Sequence, residues 1–112
     1  MLNRMKKQIL FIHGAGVQGL HQGSGDLAAY LQDGLGADYD LLYPIMPDSE
    51  NPEYEPWKVH LKKELAAVHS EVILIGHSLG GAVLLKYLSE GTYQTSIAAL
   101  FVSYRHAILG QR

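Results

Sequence analysis

One short stretch, Gly76-His77-Ser78-Leu79-Gly80, constrains the fold of this chain more than any other. It fits the pattern G-x-S-x-G, and it follows an apolar run at 72–75 and precedes a helical pattern at 82–89. A serine on a sharp turn between a strand and a helix stands clear of the backbone, where it can act as a nucleophile. The flanking glycines leave room for the turn, and the N–H groups that begin the helix suit a developing oxyanion. The stretch therefore predicts a nucleophilic serine at position 78.

Apolar runs and amphipathic patterns alternate along the rest of the chain. The predicted strands are 8–12, 39–43, 71–75 and 97–102, and the predicted helices are about 24–35, 56–69 and 79–90. Alternation of this kind means parallel strands, right-handed crossovers and helices on both faces of the sheet. We therefore predict a single domain over residues 1–112, a three-layer α/β sandwich with a mostly parallel sheet. Its functional residues are expected where the carboxyl ends of the strands meet.

Charge and composition exclude several classes of function. The formal net charge is -2, and no basic run occurs beyond 4–7, which argues against nucleic acid and anionic membranes as partners. The chain has no cysteine, so thiol catalysis and cysteine-ligated metals are excluded. No apolar run approaches the roughly 20 residues of a membrane span. We expect a cytoplasmic protein that uses no metal and no organic cofactor.

Two motifs give the chain a family resemblance, His13-Gly14 after the first strand and the stretch 76–80 after the third. On these residues the chain resembles the α/β-hydrolase family from about residue 8 to 103. Within that family it is similar to the small serine hydrolases typified by retinoblastoma-binding protein nine. The residues that carry this closer likeness are Met46-Pro47-Asp48, Trp57, Glu64-Leu65 and Ile75-Gly76-His77-Ser78.

The resemblance implies a fold, a chemistry and a set of site residues. It implies that the strands lie in the spatial order second, first, third, fourth, and that the substrate is a small ester or other acyl compound. Ser78 matches the nucleophile, and the backbone N–H of Leu79 matches one oxyanion donor. Ala15, after His13 and Gly14 of the oxyanion loop, matches the region of the second donor.

The chain departs from the family after its fourth predicted strand. The family supplies its triad in the order serine, acid, histidine, but no acidic residue follows Glu90, and 103–112 does not resemble the family's continuation. We therefore expect an incomplete hydrolase domain with impaired activity, in which His106 is a candidate substitute base. The alternative is a non-catalytic fragment or pseudo-hydrolase that acts as an interaction module. An unpaired edge strand at 97–102 would favour self-association.

A second alternative is a dinucleotide-binding domain. Gly14-x-Gly16-x-x-Gly19 follows a buried strand, and Asp38 and Asp40 follow about 20 residues later. In that fingerprint, however, the helix begins within the glycine motif, whereas here further glycines delay it to about residue 24.

The remaining polar and aromatic residues have simpler interpretations. Trp57 and Tyr54 are candidates for a substrate mouth, although core packing at the start of their helix is the favoured interpretation of Trp57. The leucines at 27, 31 and 35 are expected to face the core. Asp48 is expected in a turn. The other histidines are weaker candidates for a base, and they are His21, His60, His69 and His77.

Overall fold

A computed structural model of the protein describes residues 6–18, 23–69, 71–91 and 93–103. All seven predicted elements are present, in the predicted order. They are β1 (Lys7–Ile12), α1 (Gly25–Leu35), β2 (Tyr39–Leu42), α2 (Tyr54–Ala66), β3 (Val72–His77), α3 (Leu79–Ser89) and β4 (Ile97–Ser103).

Helix α2 begins and ends earlier than predicted. Pro56 lies in its first turn, where a missing N–H costs nothing because no carbonyl of the helix would accept it. At the other end, the N–H of Val68 returns to the carbonyl of Leu65. The next N–H, of His69, donates to the side-chain oxygen of Gln8 on β1 at 2.7 Å. This tether stops the helix and joins it to the sheet.

The four strands form one parallel sheet in the order β2-β1-β3-β4, which confirms the predicted order. The chain moves outward in one direction from β1 to β2, and in the other direction from β2 through β3 to β4. Right-handed crossovers then place α1 on one face of the sheet, and α2 and α3 on the other. Ile12 pairs with Gly76, and His77 pairs with Ser103, so the ends of three strands meet at one edge.

The main core lies on the face covered by α2 and α3. Alternate residues of β1 and β3 point into it, and each helix contributes one apolar stripe. Its buried members are Leu10, Ile12, Met46, Trp57, Leu61, Leu65, Val72, Leu74, Val83, Leu84 and Tyr87. Because β3 and α3 both contribute residues to this core, it fixes the position of the junction between them.

The opposite face is less well covered than the sequence predicts. The three leucines of α1, at 27, 31 and 35, are only half-buried, and Tyr30 on the same helix is 76% exposed. Within α1 only Ala28 is buried. Two helices shield one face of the sheet, but a single helix shields the other. The expectation of a full core stripe on α1 was therefore only partly right.

Candidate active site

Ser78 occupies the sharp turn between β3 and α3. Its backbone has φ 57° and ψ -120°, a conformation that L-residues rarely adopt and that costs on the order of 1–3 kcal/mol. Three backbone hydrogen bonds hold it. The N–H of Ser78 donates to the carbonyl of Ser103 at 2.7 Å, and its carbonyl accepts from Gly81 at 3.0 Å and from Ala82 at 3.4 Å. The residue itself is exposed. The turn therefore presents the Ser78 hydroxyl at the carboxyl edge of the sheet.

The glycines around Ser78 are needed because α3 approaches the strands at backbone distance. A Cβ on Gly76 would lie 2.5 Å from the Cα of Gly81. A Cβ on Gly80 would overlap the carbonyl oxygens of Ile12 and His13 at the end of β1. No side chain fits at either position, which gives the glycine spacing of the motif a physical cause.

Gly14, at the start of the loop after β1, lies against the serine. A Cβ on Gly14 would be 3.2 Å from the Cβ of Ser78 and 3.6 Å from its Oγ. A side chain there would therefore crowd the hydroxyl. The next residue, Ala15, is exposed. Within the described chain, the N–H groups of Ala15 and Leu79 form no hydrogen bond.

His13 lies at the end of β1 and uses both ring nitrogens in hydrogen bonds within the protein. It is fully buried, its Nδ1–H donates to the carbonyl of Gly14 at 2.6 Å, and its Nε2 accepts the N–H of Met46 at 2.9 Å. Burial lowers the pKa of His13, which favours the neutral ring that this pair of bonds requires. Its ring also packs edge-on against Trp57, with centroids 5.5 Å apart. His13 thus ties the end of β1 to the loop after β2.

The Ser24 side chain makes two long-range contacts that the sequence did not predict. It occupies the N-cap position of α1, but its side chain makes no capping bond. Its buried hydroxyl instead accepts the N–H of Gly14 at 3.1 Å and lies 2.6 Å from Nδ1 of His77. One hydroxyl therefore connects the loop after β1 to the residue before Ser78. Because its partners lie 10 and 53 residues away, no local pattern signals this role.

Gln18 fastens the same loop from within. Its side-chain amide donates to the carbonyls of Gly14 and Gly16, at 3.2 and 3.0 Å. Its Oε1 accepts the N–H of Ser24 at 3.1 Å. Ser49, from the loop after β2, adds a hydroxyl bond to the carbonyl of Gly16 at 2.8 Å. Side-chain hydrogen bonds thus supply most of the contacts that hold the loop, together with one backbone bond from the N–H of Gly16 to the carbonyl of Ser49 at 2.7 Å.

The other candidates divide into core, surface and undescribed positions. Trp57 is fully buried, and its indole N–H donates to the carbonyl of Pro47 at 2.7 Å, which confirms its predicted packing role. Asp48 lies in a turn closed by a bond from the N–H of Asn51. His60 lies 3.5 Å from Glu64 on α2. Three further positions complete the set: His69 is exposed, and His21 and His106 lie outside the described residues.

Nucleophilic catalysis by Ser78 also needs a base. Among the described residues, none forms a hydrogen bond with the Ser78 hydroxyl. That same part of the chain holds no group of three or more potential metal ligands. It also holds no helix with the length and apolarity that a membrane crossing requires.

A comparison with models of protein families identifies the family of this chain. A model described as serine hydrolase matches residues 40–108, more than half of the chain, from β2 through the Ser78 turn to beyond β4. The chain belongs to the serine hydrolase family. Comparisons of this hydrolase with curated proteins and with solved structures gave no match. Membership assigns hydrolysis of a small substrate at the level of the family, and the α/β fold agrees with it.

Proposed function

We propose that the protein is an acyl hydrolase of esters or related compounds, with Ser78 as its nucleophile. The observation that carries the proposal is the backbone of Ser78, held at positive φ between a buried strand and a helix start. A non-glycine residue in such a conformation points to a functional constraint. Gly14 beside the hydroxyl leaves the space that a substrate needs.

The reaction follows from the groups around the hydroxyl. Ser78 Oγ bonds to the carbonyl carbon of the substrate, and the carbonyl electron pair moves onto the oxygen. The N–H groups of Leu79 and Ala15 stabilise that oxyanion by donating hydrogen bonds to it. Collapse breaks the bond to the alkoxide, which leaves as the alcohol with the proton that Ser78 gave up to solvent. Water then bonds to the acyl carbon as the Oγ–C bond breaks, so the carboxylic acid leaves and the proton lost by water restores the Ser78 hydroxyl. Because no described residue is bonded to the hydroxyl to take its proton, we expect slow turnover.

A fluorophosphonate probe tests the nucleophile directly. The Oγ–P bond forms, the P–F bond breaks and fluoride leaves, while the serine proton passes to buffer. We expect slow labelling of the native chain, none of Ser78→Ala, and native labelling of the control Ser89→Ala on the exposed side of α3. Equal labelling of the Ser78→Ala variant would refute the assignment. A native chain that resists labelling would favour the non-catalytic interaction module.

His106 is the candidate substitute base. It follows the last residue of β4, Ser103, by three positions in the sequence. A general base contributes at least ten-fold to the rate, so His106→Ala tests it through hydrolysis of a small activated ester. We expect an unchanged rate, and a loss of ten-fold or more would instead identify His106 as the base.

The dinucleotide alternative finds little support in the loop after β1. The N–H of Gly14 bonds to the Ser24 hydroxyl, and the N–H of Gly16 bonds to the carbonyl of Ser49 at 2.7 Å. These amides are therefore not free to bind a pyrophosphate. Helix α1 begins only at Gly25. We expect no binding of NAD at micromolar concentration by calorimetry, and binding that is lost in Gly16→Ala would revive the alternative.

We also propose that the chain self-associates through β4. No described strand pairs with its outer edge, and Phe101 on this strand is 59% exposed. An apolar edge strand is a template for pairing with another chain. Light scattering after size-exclusion chromatography should show a dimer at low micromolar concentration. The variant Phe101→Lys should shift it to monomer, whereas Tyr30→Lys on α1 should not, and a native monomer would refute the proposal.

A further inference from the structure

A small apolar cavity lies between the N-terminal parts of α2 and α3. Its volume is about 180 Å³, and its walls include Trp57 of α2 and Leu79, Ala82 and Val83 of α3. We call this cavity the α2–α3 groove. A larger, open depression of about 890 Å³ lies near Glu71 and Ser96, which precede β3 and β4 and so lie at the opposite end of the sheet from Ser78.

The α3 wall of the groove begins at the residue that follows the proposed nucleophile. Leu79 directly follows Ser78, and the lining residues of α3 recur at the three- and four-residue spacing of one helix face. Lys86 also lines the groove, seven residues after Leu79, which corresponds to about 10 Å along the helix axis. The groove therefore leads away from the Ser78 turn along α3.

The Tyr54 hydroxyl and the Lys86 ammonium lie at the end of the groove that is farther from Leu79. The hydroxyl oxygen of Tyr54 is buried and forms no hydrogen bond of good geometry. Burial and the nearby Glu90 raise the pKa of Tyr54 to about 12, so the hydroxyl remains a donor. The Lys86 ammonium lies 4.9 Å from the Tyr54 ring centroid. Glu90 is paired with Lys58 at 3.0 Å, and Lys86 has no ion-pair partner among the described residues.

We propose that the α2–α3 groove binds the acyl chain of the substrate, and that this chain ends in a carboxylate. The proposal rests on Ser78 as the nucleophile. At roughly 30 Å³ for each water-sized group, the cavity accommodates about six chain atoms. Leu79, Ala82 and Val83 contact the methylene groups, and Trp57 lies behind them. Lys86, which has no ion-pair partner among the described residues, binds the terminal carboxylate.

The protein carries its own reporter of binding. Trp57 is the single tryptophan of the sequence and lines the groove. Titration of Ser78→Ala with monomethyl adipate should change its fluorescence saturably, without any turnover. Methyl hexanoate, of the same length but uncharged, should bind about five-fold more weakly, because a partly exposed ion pair contributes up to about that factor.

Three variants in the Ser78→Ala background locate the ligand. Lys86→Met should remove the preference for the charged ester. Lys63→Met, a matched loss of charge on the exposed side of α2, should retain it. Ala82→Phe should fill the groove and abolish binding of both esters. No fluorescence response to either ester, or an undiminished response in Ala82→Phe, would overturn the proposal.

The rate at which fluorophosphonates of different chain length label Ser78 tests the groove independently of the assignment of Ser78 as the nucleophile. Fluorophosphonates with alkyl chains of two, six and twelve carbons should label the native chain fastest at six. Labelling that ignores chain length would overturn the groove while leaving Ser78 in place. Fluorescence binding without any labelling would do the opposite, since it would retain the groove and refute the nucleophile.

Discussion

Two loops build the candidate site, and they are held in different ways. The elbow turn, residues 76–80, is held by backbone packing, since Gly76 and Gly80 have no room for a Cβ. The β1 loop, residues 13–18 with 23–24, is held mainly by the side chains of Gln18, Ser24 and Ser49, with one backbone bond from Gly16 to Ser49. Packing tolerates almost no added volume, whereas a hydrogen-bonded loop tolerates loss of one bond at moderate cost. The two loops should therefore respond very differently to single substitutions.

The largest effect is expected in the elbow turn, from Gly80→Ala. The added Cβ meets the carbonyl oxygen of Ile12, which is backbone and cannot move aside. We expect the free energy of unfolding to fall by about 3 kcal/mol or more in urea denaturation. Gly34→Ala in α1 is the matched control, because nothing lies within 4 Å of its added Cβ. It should stabilise the chain by roughly 0.5–1 kcal/mol, and similar losses at both sites would contradict the packing account.

A smaller effect is expected in the β1 loop, from Ser24→Ala. The variant leaves the N–H of Gly14 and the ring of His77 without the hydroxyl that joins them. We expect a loss of about 1–3 kcal/mol and slower fluorophosphonate labelling of Ser78, because the oxyanion loop loses its connection to the elbow turn. Ser89→Ala, at an exposed hydroxyl, should change neither quantity measurably. Labelling at the native rate would show that the connection does not position the loop.

At Ser78, unlike at Gly34, the smaller side chain is expected to give the more stable variant because the backbone of Ser78 is strained. Ser78→Gly relieves the positive φ, whereas Ser78→Ala keeps it. After the entropic cost of glycine, we expect the glycine variant to be about 1 kcal/mol more stable than the alanine variant. Both should be inert to the probe. If the alanine variant proved the more stable of the two, the turn would not be strained.

The smallest expected effect is a pH dependence from His13. Burial lowers its pKa in the folded state below 6.5, so the unfolded chain takes up the proton first as pH falls. The stability that the neutral His13 ring contributes is therefore fully present above about pH 6.5. It is lost as the pH falls from 6.5 to the lowered pKa of the folded state. Urea denaturation from pH 7.5 to 5 should show this decline. An NMR titration that places the pKa of His13 above 6.5 would contradict it.

The difference between the loops also separates what sequence could predict from what it could not. The elements and the Ser78 turn depend on short-range periodicity and glycine spacing, which sequence displays, whereas the strand order was implied by the family resemblance. The true partners of Ser24, and the burial of His13 against the N–H of Met46, depend on residues brought together only by folding. The exposed side of α1 was missed for another reason. Periodicity reveals an apolar stripe but not how many helices cover the sheet beside it.

The bond between the Gly14 amide and the Ser24 hydroxyl has one more consequence. Loop amides usually exchange with solvent deuterium quickly, but this proton is held by a buried acceptor. It can exchange only when the loop separates from Ser24, the same event that disconnects it from His77. The exchange lifetime of one amide thus records how often the site is assembled, even while no substrate is present.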